Sequence, residues 1–202
     1  MLEQTLVVIK PDGAERNLVG EIIRRYEAAN LKIMALKMLK ADEALVNQHY
    51  PADEEYLISL GKKSEKSGNK IDNYRAQGLM ILNGLHKFIT RNPVVAMVIG
   101  GEGAIQKVRQ ITGYTDPTTA EKGTIRGDFP HDSILEANRE KRAVENLIHT
   151  SGNPEEAAKE IKIWFKPEEI FNSYYRKPGQ EVPKGLFSRG VDNKTDKGIF
   201  SS

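Results

Sequence analysis

Two short, unbroken apolar runs constrain this chain more than any other feature. Leu6-Val7-Val8-Ile9 is largely β-branched and is halted by Lys10-Pro11-Asp12-Gly13; Pro93 opens a second run, Val94 to Ile99, the longest apolar stretch in the sequence. Runs of this length bounded by turn formers predict buried strands. Both fall far short of the roughly 20 apolar residues a membrane-spanning helix needs. Between them the period changes. Leu18, Val19, Ile22, Ile23 and Tyr26 recur at helical spacing, which predicts a helix to about Asn30. Lys32 to Leu39 partly alternates and predicts a strand, and Asp42 is placed to cap a short helix reaching about Tyr50. Glu102 to Ile111 repeats the helical pattern and is closed by Gly113. Asn146-Leu147-Ile148-His149 is a short apolar approach to a polar loop, consistent with a fourth strand. Pro154 with Glu155 and Glu156 opens a further helix, since proline and acids both suit a helix N-terminus.

The order is β-α-β followed by β-α-β with extra helices. It predicts an α+β fold, a ferredoxin-like split βαβ antiparallel sheet with helices packed on one face, plus insertions and a C-terminal extension. At 202 residues the chain accommodates one domain with additions, here residues 1–177. Two polar stretches read as insertions, about 53–75 and about 130–145, the second with a helix around Ser133–Glu145. Residues 178–202 are rich in glycine and proline and lack periodicity. They read as a tail that drapes over a neighbouring subunit.

Charge and cysteine content narrow the function. Thirty Lys and Arg against 28 Asp and Glu leave +2, which excludes a polybasic nucleic-acid binder and an acidic solvating chain. The absence of cysteine excludes disulfides, Fe–S clusters, thiolate zinc sites and thiol nucleophiles, and suits a cytoplasmic location. The N-terminal residues lack the cation and the long apolar run of a signal peptide. Familiar phosphate loops fail. Gly61-Lys62-Lys63-Ser64 lacks the upstream glycine and has Lys where Ser or Thr must follow; Gly101-Glu102-Gly103 is followed by Gln106 where a dinucleotide fingerprint needs glycine.

Among four histidines, His49, His86 and His131 sit in helical or inserted surroundings and read as structural or surface residues. His149 ends an apolar strand and opens Thr150-Ser151-Gly152-Asn153, where a fold exposes a reactive group. Two cationic clusters accompany it. Arg126 stands between glycines in Gly123-Thr124-Ile125-Arg126-Gly127-Asp128, where backbone is able to approach a ligand closely. Arg109 lies six residues before Thr115-Asp116-Pro117. The planar guanidinium fork suits phosphate oxygens.

In these blocks the chain resembles the nucleoside diphosphate kinases. The resemblance rests on Val8 to Gly13, Leu18 to Ile22, His49-Tyr50, Pro93 to Val98, Arg109 to Gly113 with Thr115 and Pro117, Gly123 to Phe129, Asn146 to His149, and Glu160-Ile161 before Trp164-Phe165. It covers most of residues 4–171 outside the two insertions. It implies that His149 is the phosphoacceptor. It further implies that Lys10, Arg109, Thr115 and Arg126 bind phosphate, and that Lys10 and Asn146 hold the ribose hydroxyls. By the same resemblance Glu160 orients the histidine ring, Tyr50 places a hydroxyl beside that ring, and Tyr56 with Leu60 clamps the base. The implied activity moves the γ-phosphate of a nucleoside triphosphate to a nucleoside diphosphate by a ping-pong mechanism, with Mg2+ carried on the nucleotide phosphates. The implied assembly is a homo-oligomer, commonly a hexamer, with no membrane or nucleic-acid partner. The sequence departs from the family pattern at Thr150 and Gly152 after the histidine, at Asn17 where glycine is common, and in its longer 126–146 linker, base-side segment and C-terminus. The rival reading is a catalytically inactive nucleotide- or nucleic-acid-binding module on the same fold. Retention of His149 together with the phosphate-binding set argues against it.

Overall fold

A computed structural model describes residues 2–172; the tail expected from position 178 lies outside the described residues. Four strands and nine helices follow one another as β1 (Leu2–Ile9), α1 (Pro11–Glu15), α2 (Val19–Ala28), β2 (Lys32–Leu39), α3 (Glu43–His49), α4 (Glu54–Lys66), α5 (Tyr74–Arg91), β3 (Val94–Glu102), α6 (Ala104–Thr112), α7 (Ile125–Asp128), α8 (Ile134–Arg139), β4 (Ile148–Thr150) and α9 (Pro154–Trp164) among the described residues. The strands form one sheet in the order β2-β3-β1-β4, every pairing antiparallel, as a split βαβ topology requires.

The register of β1 against β3 pairs Leu6 with Val98, Val7 with Met97, Val8 with Ala96 and Ile9 with Val95. Side chains alternate across a strand, so these pairs face opposite sides of the sheet in turn. All eight are at most 4% exposed, which means that both faces are covered. Leu6, Val8, Ala96 and Val98 pack with residues of α3, α4, α5 and α9, including Val46, Leu57, Phe88 and Trp164. Val7, Ile9, Val95 and Met97 pack with residues of α2 and α6, including Ile22, Tyr26 and Val108. The expectation of helices on one face is therefore corrected. A strand that is apolar at every position has two buried faces, whereas a one-sided sheet requires alternation with polar residues.

The predicted elements recur with small differences. Asp42 caps α3 by accepting from Leu45 N at 2.8 Å, and Asn153 caps α9 ahead of Pro154 by accepting from Glu156 N at 2.8 Å. Lys10-Pro11-Asp12-Gly13, expected as a turn, winds into α1 with Pro11 in its first turn. The stretch 53–75 forms α4, capped by Asp53, and begins α5, capped by Asn73. These two helices cross with their backbones in contact. A Cβ on Gly78 would lie 2.0 Å from the Leu57 carbonyl oxygen, and one on Gly61 2.3 Å from that of Tyr74. The second stretch holds α8, capped by Ser133. The two stretches meet, with the Asn138 and Gln77 side-chain amides both donating to the buried Ser64 Oγ at 2.9 and 3.0 Å.

Candidate active site

The site grows from the sheet register. β4 pairs His149 with Val8, so the histidine shares the sheet face covered by α3, α5 and α9. That face brings Glu160 of α9 to the ring, with His149 Nε2 3.0 Å from both carboxylate oxygens. Ser151 Oγ donates to the same carboxylate at 2.6 Å and accepts from Leu6 N at 3.3 Å, so Glu160 is itself fixed to the sheet. The other ring nitrogen, Nδ1, makes no hydrogen bond among the described residues, and the His149 side chain retains 20% exposure. An imidazole held at Nε2 by a carboxylate carries its proton there, which leaves the Nδ1 lone pair free.

Lys10 follows the last residue of β1. Its Nζ donates to Asn146 Oδ1 at 2.7 Å, and the Asn146 amide donates to the Thr115 carbonyl at 2.8 Å. Burial, with the charge of Arg126 nearby, lowers the Lys10 pKa to about 8. Arg126, also buried, spends three donors on backbone: Nε on Asn146 O at 2.9 Å, one terminal nitrogen on Gly113 O at 3.0 Å and the other on Ile148 O at 2.5 Å. A guanidinium has five N–H groups, so two remain. Burial brings the Arg126 pKa down to about 10. The glycine after it serves a different purpose from the one expected. A Cβ on Gly127 would lie 2.0 Å from the Glu121 carbonyl oxygen, so the close approach is to the protein's own backbone.

One cavity of about 610 Å³ collects every candidate residue. His149, Glu160, Tyr50 and Lys10 line it together with Arg109, Thr115, Arg126 and Asn146, and Tyr56 and Leu60 line it from α4. Helix α8 contributes Ile134, Ala137 and Asn138, so the two stretches read as insertions each supply part of the wall. Tyr50 is buried, its ring centroid 6.2 Å from that of His149. Burial raises the Tyr50 pKa well above its ordinary 10, which keeps the hydroxyl protonated.

The residue that sequence reasoning passed over is His49. Its ring stands edge-on to His149, with centroids 4.4 Å apart and planes at 86°, and also contacts Tyr50 at 4.3 Å and Trp164 at 5.5 Å. Neither of its ring nitrogens has a hydrogen-bond partner among the described residues. Burial, reinforced by the charges of His149, Lys10 and Lys159, lowers its pKa well below 6.5 and keeps the ring neutral. The available sequence signal was its place beside Tyr50. Asp12 was also passed over: its Oδ2 accepts from Leu147 N at 2.9 Å, while Oδ1 is buried and unpartnered.

Comparison with known proteins gives a consistent result. A sequence profile described as nucleoside diphosphate kinase matches residues 3–59 and 64–170. The chain is 43% identical over 179 residues to a nucleoside diphosphate kinase of Pyrobaculum aerophilum, covering 84% of this chain and 98% of the relative. It is 38% identical over 172 residues to one of Borreliella burgdorferi, covering 85% of this chain and 92% of the relative. A crystal structure of an NDP kinase from Pyrobaculum aerophilum superposes with a TM-score of 0.79 at 41% identity, covering 85% of this chain and all of that one. A transition-state mimic of nucleoside-diphosphate kinase from Borrelia burgdorferi, with bound vanadate and ADP, superposes at 0.74 with 36% identity, covering 88% of this chain and 94% of that one.

Proposed function

The chain belongs to the nucleoside diphosphate kinase family, and from that premise we propose how its own residues carry the reaction. The activity is transfer of a γ-phosphate from a nucleoside triphosphate to a nucleoside diphosphate. His149 is the group phosphorylated in between. The observation that carries this reading is the pairing of His149 Nε2 with Glu160, which leaves Nδ1 free on a residue that lines the same cavity as Lys10, Arg109 and Arg126.

Nδ1 attacks the γ-phosphorus in line, the bond to the β-phosphate oxygen breaks, and the nucleoside diphosphate leaves with that electron pair. The ring becomes cationic as the new N–P bond forms, and Glu160 offsets that charge through Nε2–H. No general base is required, because a neutral imidazole already carries the lone pair it uses. The remaining protein contribution is positioning and charge neutralisation. Arg109, Lys10 and the two spare N–H groups of Arg126 meet the phosphate oxygens. Thr115 supplies a hydroxyl, and Lys10 with Asn146 holds the ribose hydroxyls. Tyr50 offers a protonated hydroxyl beside the ring, and Tyr56 with Leu60 stacks on the base. The second substrate reverses the steps at the same site, so ping-pong kinetics follow.

The divalent cation is Mg2+, arriving as part of the substrate. Lys10, Arg109, Thr115, Arg126 and Asn146 offer no carboxylate, so the substrate's own phosphates would hold the ion, which would supply charge withdrawal from the transferring group. The assembly is a homo-oligomer, a hexamer by family resemblance. In support, the outer edge of β2 pairs with no strand among the described residues and carries Leu36 and Met38 at 49% and 63% exposure. Such an edge invites pairing. Residues 1–177 are proposed as one catalytic domain; the expected tail, 178–202, lies outside the described residues. We place the protein in the cytoplasm; among the described residues no helix is long and apolar enough to cross a membrane.

The experiment is incubation with labelled ATP and Mg2+, followed by mapping of acid-labile phosphate. Label on His149, and none in His149→Asn with nucleotide still bound, is expected. Label elsewhere, or transfer by His149→Asn within tenfold of wild type, overturns the mechanism.

A further inference from the structure

Behind the phosphoacceptor lies a group of three donors that the transfer reaction does not use together. The donor atoms of His49, His149 and Glu160 all lie within 4.8 Å of one another. His49 Nδ1 is 3.9 Å from Glu160 Oε1, and His149 Nε2 is 3.0 Å from it. His49 comes from α3, His149 from β4 and Glu160 from α9, so the cluster is built by the packing of three elements on one sheet face.

An independent observation points to a ligand here. Both ring nitrogens of His49 are buried and have no partner among the described residues, and its side chain is only 2% exposed. A buried polar atom without a partner marks a place for a water molecule or an ion. The three residues also line the nucleotide-sized cavity, which gives an ion a path from solvent.

We propose that His49, His149 and Glu160 form a binding site for a divalent transition-metal cation, Zn2+ foremost, and that occupancy silences the phosphoacceptor. Two imidazoles and a carboxylate, completed by water, are the donor set of open zinc sites. Closing the widest donor separation, at most 4.8 Å, by roughly 1.2–1.5 Å brings the three into tetrahedral range of a cation bound at about 2.0–2.2 Å. Mg2+ prefers an octahedron of oxygen ligands and does not compete for such a set.

The silencing follows from the tautomer, and this half of the proposal rests on the reading of His149 as phosphoacceptor. A metal bond at His149 Nε2 takes the lone pair on that nitrogen. The single ring proton, which Nε2 otherwise donates to Glu160, then resides on Nδ1. The nitrogen that attacks phosphorus thereby loses its free electron pair. No bond to nucleotide is involved, so nucleotide binding persists while phosphorylation stops.

The test uses the full chain and ZnCl2 alone, with affinity measured by competition against a chromophoric chelator. One Zn2+ per subunit is expected in wild type, with at least tenfold weaker binding in His49→Phe, which keeps an aromatic ring but removes the donor. His49→Gln, smaller and polar, is measured alongside and weakens binding likewise if the site is as described. In wild type, phosphoenzyme formed from MgATP falls in proportion to zinc occupancy, ADP affinity stays constant, and a chelator restores labelling. Equal zinc affinity in wild type and both variants, or no stoichiometric binding, overturns the site. Full labelling at saturating zinc overturns the silencing. Mapping of label to His149 without zinc separates either failure from a failure of the transfer mechanism itself.

Discussion

Replacing Lys10 with methionine should make the protein more stable while destroying its activity. The lysine is fully enclosed, held between the Asn146 amide at 2.7 Å and the Phe88 ring, with Arg126 close by. Its pKa falls from the ordinary 10.5 to about 8 because burial disfavours the charged amine. At 1.36 kcal/mol per pH unit, keeping it protonated in the fold near neutral pH costs about 3 kcal/mol relative to the unfolded chain. Methionine matches the stem and carries no charge, but it forfeits the charged bond to Asn146, worth about 1.5–3 kcal/mol. The net expectation is a gain of up to about 1.5 kcal/mol, or up to about 3–6 °C in melting temperature for a chain of this size. The pH dependence provides an internal check. Between pH 8 and 10.5 the unfolded chain binds the proton that the folded chain has shed, so wild-type stability rises with pH through that window relative to the variant. The assay is denaturant and thermal melting of both proteins at one subunit concentration, at pH 7, 8.5 and 9.5. The gap should be widest at pH 7 and should narrow upward. A variant less stable at pH 7, or a gap independent of pH, would refute the claim that buried charge at Lys10 is a cost the fold bears for function.

Glu160→Gln keeps a hydrogen-bond acceptor beside Nε2 but removes the charge that meets the ring cation. Bonds to charged groups contribute about 1.5–3 kcal/mol, so kcat should drop roughly 10- to 150-fold with nucleotide affinity unchanged, read by steady-state kinetics with a parallel binding titration. Gly78→Ala places a methyl 2.0 Å from the Leu57 carbonyl oxygen and should destabilise by about 3 kcal/mol or more in denaturant melts, whereas Gly20→Ala, with nothing within 4 Å, should stabilise by up to about 1 kcal/mol. Donor preference among ATP, GTP, CTP and UTP should span less than about a hundredfold in kcat/KM, because a Tyr56–Leu60 clamp offers a face to any base. Truncation after Lys177 removes Val182, Leu186, Phe187, Val191, Ile199 and Phe200; it should lower the melting temperature or the mass found by light scattering while leaving turnover per subunit intact.

How far the sequence could be read depended on whether a feature was local. Asp42 and Pro154 announce helix starts through their own chemistry, and both helices begin there. The Val94–Ile99 run announces a buried strand for the same reason, although the number of covered faces was misjudged. Helix α5 carries Leu82, Leu85, Phe88 and Ile89 at helical spacing, but Gly78 and Gly84 within it weaken the signal. Their purpose is visible only in three dimensions, where a Cβ on Gly84 would lie 2.6 Å from Ala143 N. The site residues came from ordered motifs and family resemblance. What those motifs could not supply is contact between segments distant in sequence. His49 lies 100 positions before the ring it touches, and nothing near it in the chain reports that neighbour. Asn17, a departure from the family's glycine, is explained locally: its φ is +56°, and asparagine tolerates that region better than most residues.

The turn before the phosphoacceptor shows how the fold holds a costly conformation in place. Leu147 has a φ of +69°, and Ile148 N donates to Asn146 O at 2.8 Å, which together describe the strained form of a γ-turn. Such a residue costs about 1–3 kcal/mol, and glycine would relieve the strain. Leucine stands there because its side chain is 1% exposed in the core shared by α2 and α6, and burial of that size returns about 1.5–3 kcal/mol. Five of the turn's backbone polar groups are then engaged. Leu147 N donates to Asp12, Leu147 O accepts from Lys10 N at 2.8 Å, and one guanidinium, Arg126, donates to both the Asn146 and Ile148 carbonyls. Two of the residues proposed to bind phosphate thus help tie the turn down, Arg126 through its guanidinium and Lys10 through its backbone N–H, together with Asp12. A change of side chain at Arg126 or Asp12 therefore shifts the nucleophile as well as removing a charge. For that reason Arg126→Ala should depress kcat more than a phosphate contact alone would account for, and should also lower the melting temperature, a pairing that a purely electrostatic arginine would not produce.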